Sequence, residues 1–271
     1  LVVEKNMARL STRLNEIGDD GGKALVAYIV AGDPQPQTTV PLMHELVAAG
    51  VDVIELGIPF SDPEAEGPVI QLAHERALRH KVSLSQCLDM VSAFREQNER
   101  TPVVLMGYLN PIESMGYENF AKRAAEAGVN GTIIVNLPPE EAGGLSVQLK
   151  SNGVESVYLL APTTTDQRAA MICEASSGFV YYVSLKGTTG ASSLDASDVR
   201  EKVGQFRKFC KLPILVGFGV KDAETASAVA EVADGAVVGS AIVKIMAECE
   251  SDDAELFARV GSFVRELRAA L

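Results

Sequence analysis

Two kinds of residue stand where side-chain chemistry is possible: a carboxylate among apolar neighbours, and glycines at the ends of apolar runs. Glu55 sits among Val53, Ile54, Leu56 and Ile58. In a strand it faces either the interior of a closed sheet or a surrounding layer of helices. An unpaired carboxylate is costly in either place, so Glu55 either performs chemistry or pins a neighbouring loop by hydrogen bonds. After it runs IELGIPFSDPEAEGP (54–68), with Asp62, Glu64 and Glu66, stiffened by Pro59 and Pro63 and closed by Gly67 and Pro68. Such a loop is either simply solvated or a working loop over a catalytic face. A buried Glu with a raised pKa beneath an acidic loop residue makes a general acid/base pair.

A second group points to an anion. The runs GFG (217–219) and VGSA (238–241) place Gly219 and Gly239 where backbone can approach a ligand closely, the alternative being simple turn chemistry. Ser240 opens the helical run AIVKIMAE, so its hydroxyl and the first free N–H groups point at whatever sits there. The small-residue segment KGTTGASS (186–193) has the character of a closing lid that brings Gly190 to the same anion.

These residues need a scaffold that gathers strand ends on one face. The runs at 24–32, 51–60, 101–109 and 131–138 read as parallel strands buried on both faces, as do 156–162, 179–187, 212–219 and 234–241. Between them lie helical stripes: Phe120, Ala121, Ala124 and Ala125, stopped by Gly128, and Leu84, Cys87, Leu88, Val91 and Phe94. A final stripe carries Leu256, Val260, Phe263, Val264 and Leu267. An amphipathic piece at 7–18 precedes the first strand and is suited to capping a barrel floor. The expectation is α/β: residues 1–271 as a single (β/α)8 TIM-barrel domain with an N-terminal capping helix. An open doubly wound sheet is disfavoured because AGDP, not GxGxxG, follows the first strand.

Composition narrows the partners. A formal net charge of −12 argues against nucleic acid or an anionic membrane and leaves backbone N–H groups to hold any phosphate. No apolar run is long enough for a membrane span. The opening LVVEKNMARL lacks a signal-peptide pattern. The dispersed Cys87, Cys173, Cys210 and Cys249 suit a reducing cytoplasm. His44, His74 and His80 are not at metal-ligand spacing; surface or helix-packing roles are expected and no metal site is.

The motifs AGDP (31–34), ELGIPFSDP (55–63), NLPPEE (136–141), GTTGA (187–191), GFG (217–219) and GSAIVK (239–244) together resemble the tryptophan synthase alpha subunit family over nearly the whole chain. That resemblance implies retro-aldol cleavage of indole-3-glycerol phosphate to indole and glyceraldehyde 3-phosphate. It implies Glu55 as the acid/base group and Glu66 as the second carboxylate, near the ring nitrogen. It matches Gly190, Phe218, Gly219, Gly239 and Ser240 to phosphate-binding positions, and Tyr28, Tyr108 and Tyr181 to the indole pocket. Thr189 matches the lid threonine. It implies no cofactor in this chain and a partner beta subunit carrying pyridoxal phosphate, in an α2β2 heterotetramer.

Four positions depart from the family pattern. Glu66 stands where Asp is usual, Glu64 where an apolar residue is usual, Asn136 where Asp is usual, and Gly107 where a bulkier residue is common. Besides an active lyase subunit, two readings stay open: a free-standing indole-3-glycerol phosphate lyase, and a weakly active or inactive chain serving as allosteric partner of the beta subunit.

Overall fold

The computed structural model describes residues 9–184, 196–217 and 219–271. After helix α1 (Arg9–Asp19), the strands are β1 (Ala24–Val30), β2 (Val53–Gly57), β3 (Val103–Gly107) and β4 (Gly131–Ile134). Then come β5 (Glu155–Ser156), β6 (Leu159–Leu160), β7 (Val180–Val183), β8 (Ile214–Gly217) and β9 (Gly235–Val238). Every pairing is parallel, in the order β5-β4-β3-β2-β1-β9-β8-β7-β6.

The expected fifth strand at 156–162 is a seam instead, split into β5 and β6. Val157 N donates to Thr132 O at 2.9 Å on one side, and Tyr181 N donates to Tyr158 O at 3.1 Å on the other. One continuous segment thus joins β4 to β7 and closes the sheet. Each of its short halves satisfies only one neighbour, so neither extends into a long ladder. Nine ladder segments make the eight staves of a (β/α)8 barrel.

Alternation sorts the strand residues into two cores. Leu25, Ile29, Ile54, Leu56, Leu105 and Val216 face the helices. Val26, Val53, Val104, Ile133, Phe179 and Leu215 fill the barrel interior. Glu55 shares the parity of Val53 and therefore faces inward, which resolves the choice its sequence left open.

The helix layer follows the predicted stripes. In α4 (Leu84–Arg95) the buried residues are Leu84, Cys87, Leu88, Val91 and Phe94, behind a Ser83–Gln86 capping box. In α6 (Tyr117–Ala127) Phe120, Ala121, Ala124 and Ala125 are buried, and Gly128 ends the helix at φ 87°.

The floor of the barrel is plugged by α1, whose Leu10, Leu14 and Ile17 join the interior cluster. Two carboxylates that reach inward at this end, Glu155 and Asp52, have partners. Glu155 accepts from Ser11 N at 3.2 Å and from the Ser11 hydroxyl. Asp52 accepts from Arg13 at 2.7 Å, from Arg268 at 2.8 Å and from Leu25 N at 2.9 Å. The amino ends of the strands are thus a structural face, and the opposite end differs from them in one residue above all.

Candidate active site

Glu55 is that residue. It is 1% exposed, and neither carboxylate oxygen has a hydrogen-bond partner among the described residues. Burial, reinforced by the negative charge of nearby Glu66, pushes its pKa up to about 8. A group titrating near neutrality inside an otherwise apolar barrel is suited to giving and taking protons.

Glu66 comes from the loop that follows β2. Of the three loop acids, Asp62 and Glu64 are exposed and Glu66 alone turns inward, at 6% exposure. Tyr108, just after β3, causes the difference. Its hydroxyl donates to Glu66 Oε2 and accepts from Ala65 N at 2.9 Å, so one phenol holds both the loop backbone and the carboxylate. Gln71 of α3 (Pro68–Arg79) donates to Glu66 O at 2.8 Å from the other side. Burial raises the Glu66 pKa, and the Tyr108 bond works against that rise.

The Tyr108 ring stacks on Phe60, centroids 4.7 Å apart at 20°. Tyr108→Phe keeps this stack and removes only the hydroxyl. Amide exchange at Ala65 and Glu66 is then expected to speed up about fivefold, for the loss of about 1 kcal/mol of hydrogen bonding. Unchanged exchange would show that the loop is held by other contacts.

Asn136 supports the same corner: its Oδ1 accepts from Leu109 N at 2.9 Å, at the start of α5 (Leu109–Met115). An amide oxygen fills this acceptor role without charge, so the departure from Asp leaves the Tyr108 segment anchored.

Two more tyrosines complete the chamber wall. Tyr28 on β1 lies beside Glu55 in register, and Tyr181 on β7 faces the interior. Each ring occupies space left by a glycine on the next strand. A methyl on Gly57 would overlap the Tyr28 hydroxyl, and one on Gly217 would overlap that of Tyr181. Burial and the facing Glu55 and Glu66 push both phenols well up, which keeps them protonated. Gly57→Ala is expected to cost about 1–3 kcal/mol in urea unfolding, through displacement of the Tyr28 ring; an unchanged midpoint would show that the ring moves freely.

The anion-binding candidates lie on the adjoining strand ends. Gly219 follows β8 with φ 84°, a conformation that favours glycine. Gly239 is the N-cap of α11 (Ser240–Glu248), and exposed Ser240 is its first residue. The first bond of that turn runs from Val243 N to Gly239 O at 3.0 Å, so the N–H groups before it point outward at the strand ends. A Cβ on Gly239 would stand 3.4 Å from the Tyr28 ring, so this helix start adjoins the chamber. Thr189, Gly190 and Phe218, and with them the lid, lie outside the described residues.

The structure therefore brings Glu55, Glu66, Tyr28, Tyr108 and Tyr181 close enough to act on one another. Sequence reasoning missed two residues of α3. Arg76 holds fully buried Asp33 of the AGDP turn at 2.6 and 3.0 Å. His74, expected only to pack or to lie at the surface, is 2% exposed and lies between Phe60 N at 3.2 Å and the Tyr28 hydroxyl at 3.4 Å. His44 does pack as expected, tilted on Phe94 with centroids 4.8 Å apart. Among the described residues no group of His, Cys, Asp and Glu is arranged to hold a metal, and no helix is long and apolar enough to cross a membrane.

Comparison with known proteins agrees with the barrel fold. The family profile described as "Tryptophan synthase alpha chain" matches residues 14–271. A tryptophan synthase alpha chain from Thioalkalivibrio sulfidiphilus is 56% identical over 265 residues, covering 98% of this chain and all of that protein. The crystal structure of tryptophan synthase subunit alpha from Legionella pneumophila superposes with a TM-score of 0.90 at 45% identity, covering 97% of each chain. A chain of the tryptophan synthase α2β2 complex from Pyrococcus furiosus superposes with a TM-score of 0.83 at 39% identity, covering 90% of this chain and 97% of that one.

Proposed function

The chain belongs to the tryptophan synthase alpha chain family, and on that footing we propose that it cleaves indole-3-glycerol phosphate with Glu55 and Glu66 as its working carboxylates. The single observation that carries this assignment is the pairing at the strand ends: an inward-facing, unpartnered Glu55, pushed up to about 8, beside an inward-turned Glu66.

Protonated Glu55 gives its proton to ring carbon 3 of the indole, and the ring nitrogen takes up the positive charge. The Glu66 carboxylate, held by Tyr108, stabilises that cation. Ionised Glu55 then removes the proton from the side-chain hydroxyl next to the ring. The carbonyl of glyceraldehyde 3-phosphate forms, the carbon–carbon bond breaks, and its electron pair returns to the ring to neutralise the nitrogen. Indole leaves with the new hydrogen on carbon 3, and Glu55 is protonated again. A group titrating near neutrality is suited to both transfers, and the proton it gives is replaced by the one it takes.

Tyr28, Tyr108 and Tyr181 line the indole pocket. Gly219, Gly239 and Ser240, with Gly190 and Phe218, hold the phosphate by backbone N–H groups and the helix start, without a cationic side chain. Thr189 matches the family's lid threonine. The reaction needs no metal or cofactor in this chain, because each proton and electron pair is accounted for by substrate and carboxylates. The partner is a beta subunit carrying pyridoxal phosphate, in an α2β2 assembly, and residues 1–271 work as one domain in the cytoplasm.

The test is indole release from indole-3-glycerol phosphate, with and without a beta subunit. Release that rises on adding the partner supports the proposal. Release that is indifferent to the partner points to a free-standing lyase. A silent chain that still raises the beta subunit's activity replaces catalysis with an allosteric binding role.

A further inference from the structure

We propose that His74 is a positioning residue for this cleavage: its Nε2–H orients the Tyr28 hydroxyl so that the phenol proton points into the chamber beside Glu55. The proposal deepens the lyase assignment above and rests on it for its catalytic consequence.

The ring's two nitrogens face different groups. Nδ1 lies 3.2 Å from the backbone N–H of Phe60, which can only donate. Nδ1 therefore accepts and carries no proton. Burial also pushes the imidazole pKa down to about 4, so the ring is neutral at working pH and its one proton resides on Nε2. Nε2 lies 3.4 Å from the Tyr28 hydroxyl oxygen and donates to it.

A phenol oxygen that accepts on one side must send its own proton to the other. The Tyr28 oxygen stands over Gly57, two residues beyond Glu55 on the same inward face of β2. Its proton is thereby turned away from α3 and toward the barrel interior that Glu55 also faces, close enough that the Glu55 charge raises the phenol's pKa. Once Glu55 has given its proton to the indole ring, it becomes a buried anion whose oxygens are not already held by a hydrogen bond from any described residue. The Tyr28 hydroxyl, already oriented, is then a donor at hand for charge developing in the chamber.

The same imidazole steadies the second carboxylate. Phe60, whose N–H it accepts, stacks on Tyr108, and Tyr108 holds Glu66. One buried ring of α3 thus sets both a hydroxyl on β1 and the start of the acidic loop.

Two measurements on the full chain decide the matter. Nitrogen-15 spectra of the histidine rings at pH 7 should show the His74 imidazole neutral and in the Nε2–H form. An Nδ1–H form, or a charged ring, at His74 overturns the proposal whether or not the chain releases indole. The second is a mutant cycle, assayed with the beta subunit present. His74→Asn offers an acceptor to Phe60 but does not reach Tyr28; His74→Gln restores a donor at the Nε2 position. His74→Asn should lower kcat about tenfold, the value of one oriented hydrogen bond, with KM within about twofold. His74→Gln should recover most of the loss, and in a Tyr28→Phe background His74→Asn should cost nothing further. Equal losses in both backgrounds, or a His74→Asn chain as fast as the parent, would refute the positioning role. A parent that releases no indole sinks the lyase assignment and the catalytic consequence together, while the spectra still decide the His74–Tyr28 link.

Discussion

Glu55→Gln is expected to abolish indole release while making the chain more stable at neutral pH. Loss of a general acid/base group costs about 10²–10⁴ in rate, and here one carboxyl performs both transfers, so the upper part of that range applies. The stability change follows from the same burial. The folded pKa is raised from 4.5 to about 8, so the unfolded chain releases a proton that the folded chain keeps. The stability contributed by the protonated form is complete below the unfolded value and is lost as pH rises toward about 8. Glutamine has no proton to lose. At pH 7, about 2.5 units above the unfolded value at 1.36 kcal/mol per unit, the variant gains at most about 3 kcal/mol. Urea unfolding of both proteins at pH 5 and pH 8 checks this, the gap being small at the lower pH and widening at the higher. A gap that stays constant would mean that Glu55 is not a buried titrating group; a variant that keeps its activity would remove it from the chemistry.

The contrast between the barrel's two ends gives this prediction its force. Asp52 and Glu155 at the floor are each bound by side-chain and backbone donors, and such carboxylates secure α1 and the last helix. Glu55, buried more deeply than either, has no such partner among the described residues. A barrel that pairs its structural carboxylates and leaves one inward carboxylate unpaired tolerates the cost where function uses it.

Much of this was legible in the sequence, for identifiable reasons. Buried parallel strands leave continuous apolar runs, and a Glu inside one is conspicuous, so the barrel and Glu55 both stood out. The fifth stave did not. SVYLLAP has the same apolar character as its neighbours, and only three-dimensional closure splits it between β4 and β7. Composition also could not choose among Asp62, Glu64 and Glu66. The choice is made by Tyr108, 42 positions further along the chain, and only the family likeness singled out Glu66 beforehand. His74 was hidden for the same reason. In ordinary helical spacing it reads as a packing residue, and its partner Tyr28 is 46 positions away. Asn136 read as a lost charge, whereas its function is to accept one backbone N–H, which needs no charge.

Glu66→Gln is expected to lower kcat by about 10²–10³ with little change in KM, since the charge it removes matters mainly when the ring nitrogen becomes cationic. The Tyr108 hydroxyl still finds an oxygen in glutamine, so the loop stays inward and the loss is one of charge. The variant also shifts the pH profile of the remaining activity in a direction fixed by sign. The negative charge of Glu66 helps to hold the Glu55 pKa up near 8; without it, Glu55 ionises at lower pH. Cleavage begins from protonated Glu55, so the alkaline limb of kcat moves to lower pH. The acid limb should disappear, because in the parent it reflects loss of the Glu66 charge as pH falls through that residue's raised pKa. The profile of kcat against pH for parent and variant, each with the beta subunit, tests both limbs at once. An alkaline limb that stays in place or moves upward would uncouple the two carboxylates. An acid limb that survives would assign the low-pH loss to another group, and Glu66 would then be a support of the loop, with no part in stabilising the cation.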